Sequence, residues 1–245
     1  MKKVILLHKK EGETPLEALE NFRTKHKAYK NVPMTYAGRL DPLVSGLLLI
    51  LAGEARLEKE KYSGLSKEYE FDVLFGFATD TFDILGKVTK VVRQNFVIKD
   101  LEKKIKENLK FFTGKFFQKY PLYSSKTIKK ARRGESVERE ERVVSVKDLK
   151  FIKLRKISAK IFLKNTERRI KKVKGDFRQK EILKIWRKEL TNKKSNFSVA
   201  LFYVKCGPGM YVRALANDLG EKLKIPSLAL TIKRTKIGKW SKMSK

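Results

Sequence analysis

The stretch that decides the fold is YAGRLDPLVSG, residues 36–46, which holds one carboxylate, Asp41, between two glycines and directly before a proline. Pro42 pushes the backbone of Asp41 toward an extended conformation. Gly38 and Gly46 allow positive φ or a close backbone approach on either side of it. Taken alone, an Asp-Pro pair is more typical of a turn residue that bonds its own backbone. The stretch therefore predicts a rigid loop that either turns the chain or presents a carboxylate.

Outward from this loop, apolar runs and helical spacings predict an α+β chain with a sheet-centred core. Strands are expected over residues 4–7, 68–77, 88–92 and 197–206, and helices over residues 14–27, 100–112, 176–190 and 211–223. Residues 115–142 are polar and basic. They are expected to form a long excursion rather than a core element.

The charge balance of the chain is extreme, with 59 Lys and Arg against 27 Asp and Glu and a formal net charge of +32. Such a field attracts polyanions. Nucleic acid is the first expected partner, an anionic membrane surface the second, and a Lys-rich surface without a partner the third reading. The charge is most concentrated in residues 151–195, which carry 17 Lys and Arg and 4 Asp and Glu. This stretch is expected to form a basic insertion with bounds 153–196.

The composition excludes several classes of protein. The longest uninterrupted apolar run, residues 47–52, is far shorter than the roughly 20 residues that cross a bilayer. The first ten residues contain four consecutive apolar residues, too few for a signal peptide. One cysteine and two histidines are too few for a Cys/His zinc site. We therefore expect a cytoplasmic, metal-free protein that does not bind a membrane.

Several segments, read in order along the chain, resemble the motifs of TruB-type tRNA pseudouridine synthases. They are AGRLDPLVSGLLLILAGEA at 37–55, KEY at 67–69 with LFGFATDTFDILG at 74–86, FTGKFFQ at 112–118 with PLYS at 121–124 and ARRGE at 131–135, YVR at 211–213, and IKRTKIGKW at 232–240. One such motif is a weak signal. Five ordered groups over nearly the whole chain make the resemblance specific.

The resemblance implies the pseudouridine synthase core, a long mixed or antiparallel sheet flanked by helices, as a single catalytic domain over residues 1–245. It implies isomerisation of a uridine in tRNA, most specifically position 55 of the T loop, without a cofactor. Asp41 matches the catalytic carboxylate, which attacks the sugar or assists glycal formation. Arg213 matches the arginine that pairs with it, Tyr69 the aromatic that stacks on the extruded base, and Tyr211 a candidate base for the C5 proton.

The same resemblance predicts a substrate-binding set and two departures from the family pattern. The set is Tyr36, Gly38, Arg39, Leu40, Ile232 and Arg234. Tyr36 stands where the family usually has a histidine, and Arg39 where it has a small residue. In an extended segment Arg39 and Asp41 point the same way, so Arg39 is an alternative partner for Asp41. Its spacing resembles the R-L-D signature of the RluA and RsuA branches.

Other departures concern the grip on RNA. The stretch between residues 124 and 131 is about six residues shorter than the family pattern, and the basic insertion is longer than the family's connection. Because the sequence ends at Lys245, the C-terminal PUA domain that many relatives carry is not expected here. The expected partner is the T arm of tRNA, bound by a monomer without a protein partner. The insertion either contacts tRNA phosphates or is a solvated elaboration.

Two alternatives stay open at this point. One is a pseudouridine synthase for another uridine of tRNA or rRNA, which the arginine at position 39 favours. The other is a non-catalytic module that binds or folds tRNA, since such work requires binding alone.

Overall fold

The computed structural model describes residues 3–92, 97–121, 123 and 141–241. The strands are β1 Val4–Lys9, β2 Met34–Ala37, β3 Ser45–Ala52, β4 Lys67–Phe75, β5 Phe77–Thr79, β6 Val88–Val91, β7 Gly114–Lys119, β8 Glu141–Ser158, β9 Asn196–Cys206, β10 Ser227–Ile237 and β11 Trp240–Ser241. The α-helices are α1 Pro15–Lys25, α2 Lys59–Ser63, α3 Ile98–Asn108, α4 Ala159–Ile170, α5 Gln179–Leu190 and α6 Val212–Leu223. Short 3-10 helices lie at Lys27–Tyr29, Gly53–Glu58 and Leu109–Phe112. The predicted α+β class is confirmed.

A nine-stranded mixed sheet forms the centre of the molecule. Its order is β1-β3-β10-β4-β9-β8-β7, with β2 paired to β3 and β11 to β10. Among the described strands of this sheet, neighbours are antiparallel except for β3 and β10, which run parallel. This parallel contact joins Lys233 to Ser45 and Arg234 to Gly46, and we call it the seam. The loop that carries Asp41 enters β3 at the seam.

Helices cover both faces of the sheet. On one face, α3 and α6 cover the aromatic side chains of β4 and β9, where Phe71 and Phe202 stack with ring centroids 5.3 Å apart. Neighbouring residues of a strand point to opposite faces, and on the other face α4 and α5 bury Phe162 and Trp186 against Phe77 of β5. Helix α1 covers β1 and β3 at the end of the sheet. Within the described ranges, no helix is long and apolar enough to cross a membrane.

Most predicted elements are present with shifted bounds. Thr14 caps α1 in a capping box with Glu17, as its position before Pro15 predicts. The strand predicted over 68–77 is divided at Gly76, which has a φ of +108°. β3, β5 and the second half of β4 are buried almost without interruption, because both faces of these strands are packed.

The excursion predicted over 115–142 is wrong at its start. Residues 114–119 form β7 and pair with β8 at the edge of the sheet. The strand was missed because its exposed lysines make the segment look polar, although Phe116 is half-buried and Gln118 is buried. The rest of the predicted excursion, at 122 and 124–140, lies outside the described residues.

The predicted basic insertion contains two kinds of structure. Residues 153–158 are the end of β8 and pair with β9, so they belong to the sheet. Residues 159–195 form α4, α5 and the connection between them, which we call the α4–α5 unit. Helix α4 was missed because its basic residues mask a buried stripe at Phe162, Thr166 and Ile170. The helical part of the insertion therefore begins at 159 and not at 153.

Gly46 is expected to be required for the seam. Its φ is +112°, and an added Cβ would lie 2.2 Å from the backbone oxygen of Arg234. Gly46→Ala should therefore lower the free energy of unfolding by roughly 3 kcal/mol or more, through strain and overpacking together, as measured by urea denaturation. Gly53→Ala is the matched control, because Gly53 also has a positive φ of +60° but no atom within 4 Å of an added Cβ. It should cost about 1–2 kcal/mol. Equal losses of unfolding free energy in the two variants would contradict the requirement for glycine at position 46.

Candidate active site

A carboxylate and a guanidinium meet where the loop before β3 approaches the first turn of α6. Oδ2 of Asp41 accepts a hydrogen bond from Nε of Arg213 at 2.8 Å. The Arg213 side chain is 4% exposed, whereas that of Asp41 is 33% exposed. The guanidinium is therefore buried behind the carboxylate, and Asp41 keeps access to solvent.

The turn after β5 also holds the guanidinium of Arg213. Its Nη1 donates to the backbone oxygen of Thr81 at 2.6 Å, and Oδ2 of Asp83 lies 3.7 Å from its Nε. Burial by itself lowers the pKa of Arg213, but Asp41 and Asp83 outweigh burial and raise that pKa. Burial raises the pKa of Asp83, an effect that Arg213 opposes. One permanent cation is thus shared by two carboxylates.

A second buried arginine fixes the loop on both sides of Asp41. Arg234 of β10, 1% exposed, donates from Nε to the backbone oxygen of Leu47 at 2.7 Å and from Nη2 to that of Gly38 at 2.9 Å. Residues 38–44, which we call the Asp41 loop, are therefore tied to the seam. Because both donors bond backbone oxygens, these contacts fix the path of the chain around Asp41.

The N-terminal part of the chain holds the Asp41 loop from another direction. The backbone oxygen of Pro42 accepts hydrogen bonds from Nζ of Lys9 at 3.2 Å and from the backbone N–H of Gly12 at 2.9 Å. Burial lowers the pKa of Lys9 to about 8, although the carboxylates of Glu13 and Asp41 oppose it. The residue next to Asp41 is therefore anchored on its carbonyl.

The Asp41 loop forms one wall of a pocket of about 420 Å³. The basic residues that line it are Arg39, Lys59, Lys67, Arg142, Arg213 and Arg234. Asp41 is the single carboxylate among the described residues of the lining. Burial lowers the pKa of Lys67 to about 8, and Arg234 adds to this effect. The pocket therefore suits an anionic ligand, and it places the carboxylate of Asp41 next to that ligand.

All ten residues predicted for the site line this pocket. They are Tyr36, Gly38, Arg39, Leu40, Asp41, Tyr69, Tyr211, Arg213, Ile232 and Arg234. Tyr69, Leu40 and Ile232 are buried in the apolar layer shared with α6. Burial raises the pKa of the Tyr69 phenol, which keeps the group protonated. The sequence therefore located the pocket, whatever role each residue has in it.

Tyr211 is held through its backbone. Its N–H donates to Oε1 of Gln118 at 2.9 Å, and its carbonyl accepts from Nε2 of the same side chain at 3.3 Å. Its ring meets that of Tyr120 edge-on, with centroids 5.6 Å apart. Gln118 was not assigned to the site from the sequence, although it ends the FTGKFFQ motif.

The structure identifies the arginine that pairs with Asp41. Arg213 makes the ion pair, whereas Arg39 is exposed. The spacing that favoured Arg39 applies to an extended strand, and Gly38, with a φ of +74°, ends the strand just before it. Arg234 lines the pocket, and its guanidinium also fixes the backbone on both sides of Asp41. Its predicted part in binding the substrate stays a prediction.

Other positioning residues were not predicted. Thr81 and Asp83 belong to the T-D-T-F-D motif, and that motif was the signal that could have assigned them to the site. Lys9 gave no signal, because a lysine in a lysine-rich segment looks like its solvated neighbours. Lys59 and Arg142 were missed for the same reason. Among the described residues, no group of three His, Cys, Asp or Glu side chains could hold a metal ion.

Comparison with known proteins places this site in a family. The sequence profile of the TruB family pseudouridylate synthase, N-terminal domain, matches residues 25–168. The chain is 31% identical over 233 residues to tRNA pseudouridine synthase B of Aquifex aeolicus (strain VF5), which covers 95% of this chain and 67% of that protein. The chain belongs to the TruB family. A protein of the same name from Endomicrobium trichonymphae is 31% identical over 241 residues, 96% of this chain and 84% of its own.

Solved structures share the fold of this TruB-family chain at lower identity. A Cbf5-Nop10-Gar1 complex matches with a TM-score of 0.58 and 18% identity over 98% of this chain. An H/ACA RNP bound to a substrate RNA containing 2'-deoxyuridine matches with a TM-score of 0.57 and 17% identity. The chain spans about half the length of these solved chains, 50% and 48%. The likeness confirms the predicted core, a long mixed sheet flanked by helices.

Loss of Arg213 is expected to destabilise the TruB-family fold. Arg213→Ala leaves the buried Asp83 without its cation, so the free energy of unfolding should fall by about 3–5 kcal/mol. The folded-state pKa of Asp83 then rises further above its unfolded value. Stability should therefore fall as pH rises from the unfolded toward the folded pKa of Asp83, and recover on acidification.

Arg39→Ala is the control for this prediction, because Arg39 is an exposed arginine of the same pocket. It should change the free energy of unfolding by no more than about 0.5 kcal/mol. Urea denaturation at several pH values measures both variants. A small loss of unfolding free energy in Arg213→Ala with a large loss in Arg39→Ala would show that Arg39, and not Arg213, pairs with Asp41.

Proposed function

We propose that the chain converts uridine to pseudouridine in tRNA, at position 55 of the T loop, with Asp41 as its catalytic residue. The observation that carries the proposal is the Asp41–Arg213 pair, which presents one partly exposed carboxylate in a pocket of cations and tyrosines. A module that only bound RNA would have no use for a carboxylate among phosphates. Relatives matched over nearly the whole chain are named tRNA pseudouridine synthase B.

The proposed reaction is an isomerisation. The N1–C1′ bond of the uridine breaks, the base turns, and C5 bonds to C1′. C5 loses its proton and N1 gains one, so no electrons enter or leave. Asp41, held by Arg213, acts on the sugar as a nucleophile at C1′ or in forming a glycal. The chain's remaining tasks are to hold the base and to move the C5 proton.

Two tyrosines suit these tasks. Tyr69 is buried and protonated beside the pocket, and its ring offers a face on which an extruded base stacks. Tyr211 precedes α6 and has its backbone fixed by Gln118. It is the proposed base for the C5 proton late in the reaction. Each side chain is held by packing or hydrogen bonds, which favours a preorganised site.

The exposed cations of the pocket are proposed to hold the RNA backbone next to the extruded nucleotide. Arg39 and Lys59 line the pocket and are exposed. Nζ of Lys59 lies 5.7 Å from the ring centroid of Tyr36, a cation–π contact that orients it. Phosphate contacts position the RNA but do not choose its sequence. Recognition of the target uridine then falls to the buried part of the pocket.

The T arm of tRNA is the proposed partner, bound by a monomer in the cytoplasm. The formal net charge of +32 supports a polyanionic partner. The second candidate is another uridine of tRNA or rRNA, and Arg39 favours it because this arginine replaces the family's small residue beside Asp41.

Asp41→Asn is expected to abolish isomerisation and to leave RNA affinity nearly unchanged. The amide keeps the shape of the side chain but removes the nucleophile, whereas affinity resides in the cations. Tritium release from C5-labelled tRNA measures turnover, and filter binding measures affinity. Asp148→Asn is the matched control, since Asp148 is a partly exposed carboxylate of β8 that pairs with Lys150 at 3.0 Å. Turnover at the wild-type rate in Asp41→Asn would overturn the assignment of Asp41.

The target position has its own test. Chemical mapping should find pseudouridine at position 55 of tRNA from cells that contain this protein and uridine there in cells without it. A transcript with cytidine at position 55 should not be modified. Pseudouridine at another site in tRNA or rRNA, with position 55 unmodified, would establish the second candidate. RNA binding without any modification would indicate a binding module.

A further inference from the structure

The α4–α5 unit concentrates positive charge more than the rest of the chain. Its residues, 159–195, carry 14 Lys and Arg and 4 Asp and Glu. The net charge of the unit, +10, is nearly a third of the +32 of the whole chain, on about a seventh of its length. Twelve of the 14 basic side chains are exposed. Like charges so close together repel one another, which is a cost to folding, so stability of the fold does not account for them.

The four carboxylates of the unit are too few to neutralise its 14 basic residues. Glu167 is engaged by Arg187 within the unit at 2.5 Å. Glu181 pairs with Lys87 of β6 at 2.6 Å. Asp176 accepts from a backbone N–H of its own turn at 3.1 Å. The excess of cations therefore faces solvent.

The unit is docked at a fixed position. Trp186 is fully buried, and its Nε1 donates to the backbone oxygen of Ile84 at 3.0 Å. Arg169, 7% exposed, pairs with Glu11 at 2.7 Å and also donates to the backbone oxygen of Leu230. The exposed cations thus stand on a frame with a defined relation to the Asp41 loop.

The connection between α4 and α5, residues 171–178, lies against the segments that hold Asp41 and Arg213. Lys172 pairs with Glu11 at 3.3 Å, and a Cβ added to Gly12 would lie 2.7 Å from Cβ of Lys172. Gly12 is the residue that bonds the carbonyl of Pro42, next to Asp41. The first half of the connection is therefore one residue layer away from the Asp41 loop.

The second half of the connection reaches the other partner of the pair. Nη1 of Arg178 lies 2.8 Å from Oδ2 of Asp80, which precedes the residue whose carbonyl holds Arg213. The same guanidinium lies 4.2 Å from the ring centroid of Tyr123 and 3.0 Å from its hydroxyl. Tyr123 belongs to the PLYS motif of residues 121–124.

We propose that this connection, through Lys171 and Lys174, binds the phosphate backbone of the tRNA whose uridine enters the pocket. The inference rests on the proposed function and adds to it a second RNA-contacting surface. A polynucleotide with one base in the pocket extends over the neighbouring surface, and the connection adjoins two of the segments that hold the Asp41 loop and Arg213. Phe177, exposed to 36% in the same turn, offers an aromatic face beside the cations, the combination that binds nucleic acid without sequence choice.

The test compares two doubly substituted variants of the full chain with equal change in charge. Lys171→Gln with Lys174→Gln removes two cations of the connection and spares Lys172, which pairs with Glu11. Lys184→Gln with Lys188→Gln removes two exposed cations of α5, whose positions lie about 8–14 Å along the helix from its start. Binding of an unmodified tRNA transcript is measured from 0.05 to about 0.3 M salt, and isomerisation is followed by tritium release.

The connection variant should bind tRNA roughly tenfold more weakly at about 0.1 M salt, with a log K against log salt slope shallower by about 1–2. The loss should appear in KM and not in kcat, and the modified position should stay the same. The α5 variant should keep the wild-type slope. A connection variant that folds with the wild-type slope, or an equal change in both variants, would overturn the proposal. Wild-type protein that releases no tritium would instead overturn the proposed function.

Discussion

The buried guanidinium of Arg213 determines the arrangement around it, because a charge removed from water requires acceptors close by. Those acceptors come from two distant parts of the chain: Asp41, and the turn that contains Thr81 and Asp83. They converge only if α6 packs on the sheet and the seam brings the Asp41 loop to it. The stability of the fold and the orientation of the carboxylate therefore depend on one interaction. A site built this way cannot lose its geometry without also losing folding free energy.

The cations around Asp41 are of two kinds: arginines, which keep their charge, and buried lysines, which can lose a proton. Arginine stays protonated in proteins, whereas a buried lysine releases its proton more readily. The fully buried positions that need a fork of donors hold Arg213 and Arg234. Burial lowers the pKa of Lys9 and Lys67 to about 8, so part of their charge is already relieved in mildly basic solution. This limits the electrostatic cost of collecting many cations around one carboxylate.

The sequence predicted the membership of the site better than its internal geometry. The ten residues assigned to the site from ordered motifs all line one pocket, because motif residues converge in the fold even when their contacts are unknown. The partner of Asp41 could not be chosen from spacing, since Gly38 ends the extended strand that the spacing rule assumes. Lys9 and helix α4 were missed for a common reason. In a chain with 59 Lys and Arg, a basic residue carries little information, and buried and solvated lysines look alike. Whether a lysine is buried or exposed in the folded chain decides its role, and the local sequence pattern does not contain that information.

The α4–α5 unit links its charged surface to the Asp41–Arg213 ion pair through Arg178. This residue has a φ of +62°, a left-handed conformation that costs a non-glycine residue about 1 kcal/mol or more. The contacts made from that conformation, to Asp80 and Tyr123, offset the strain. Asp80 also accepts the backbone N–H of Lys87 at 2.8 Å, which closes the turn that offers its Thr81 carbonyl to Arg213. The exposed cations of the unit are therefore joined to the turn behind the guanidinium of Arg213 by direct hydrogen bonds between charged side chains and backbone.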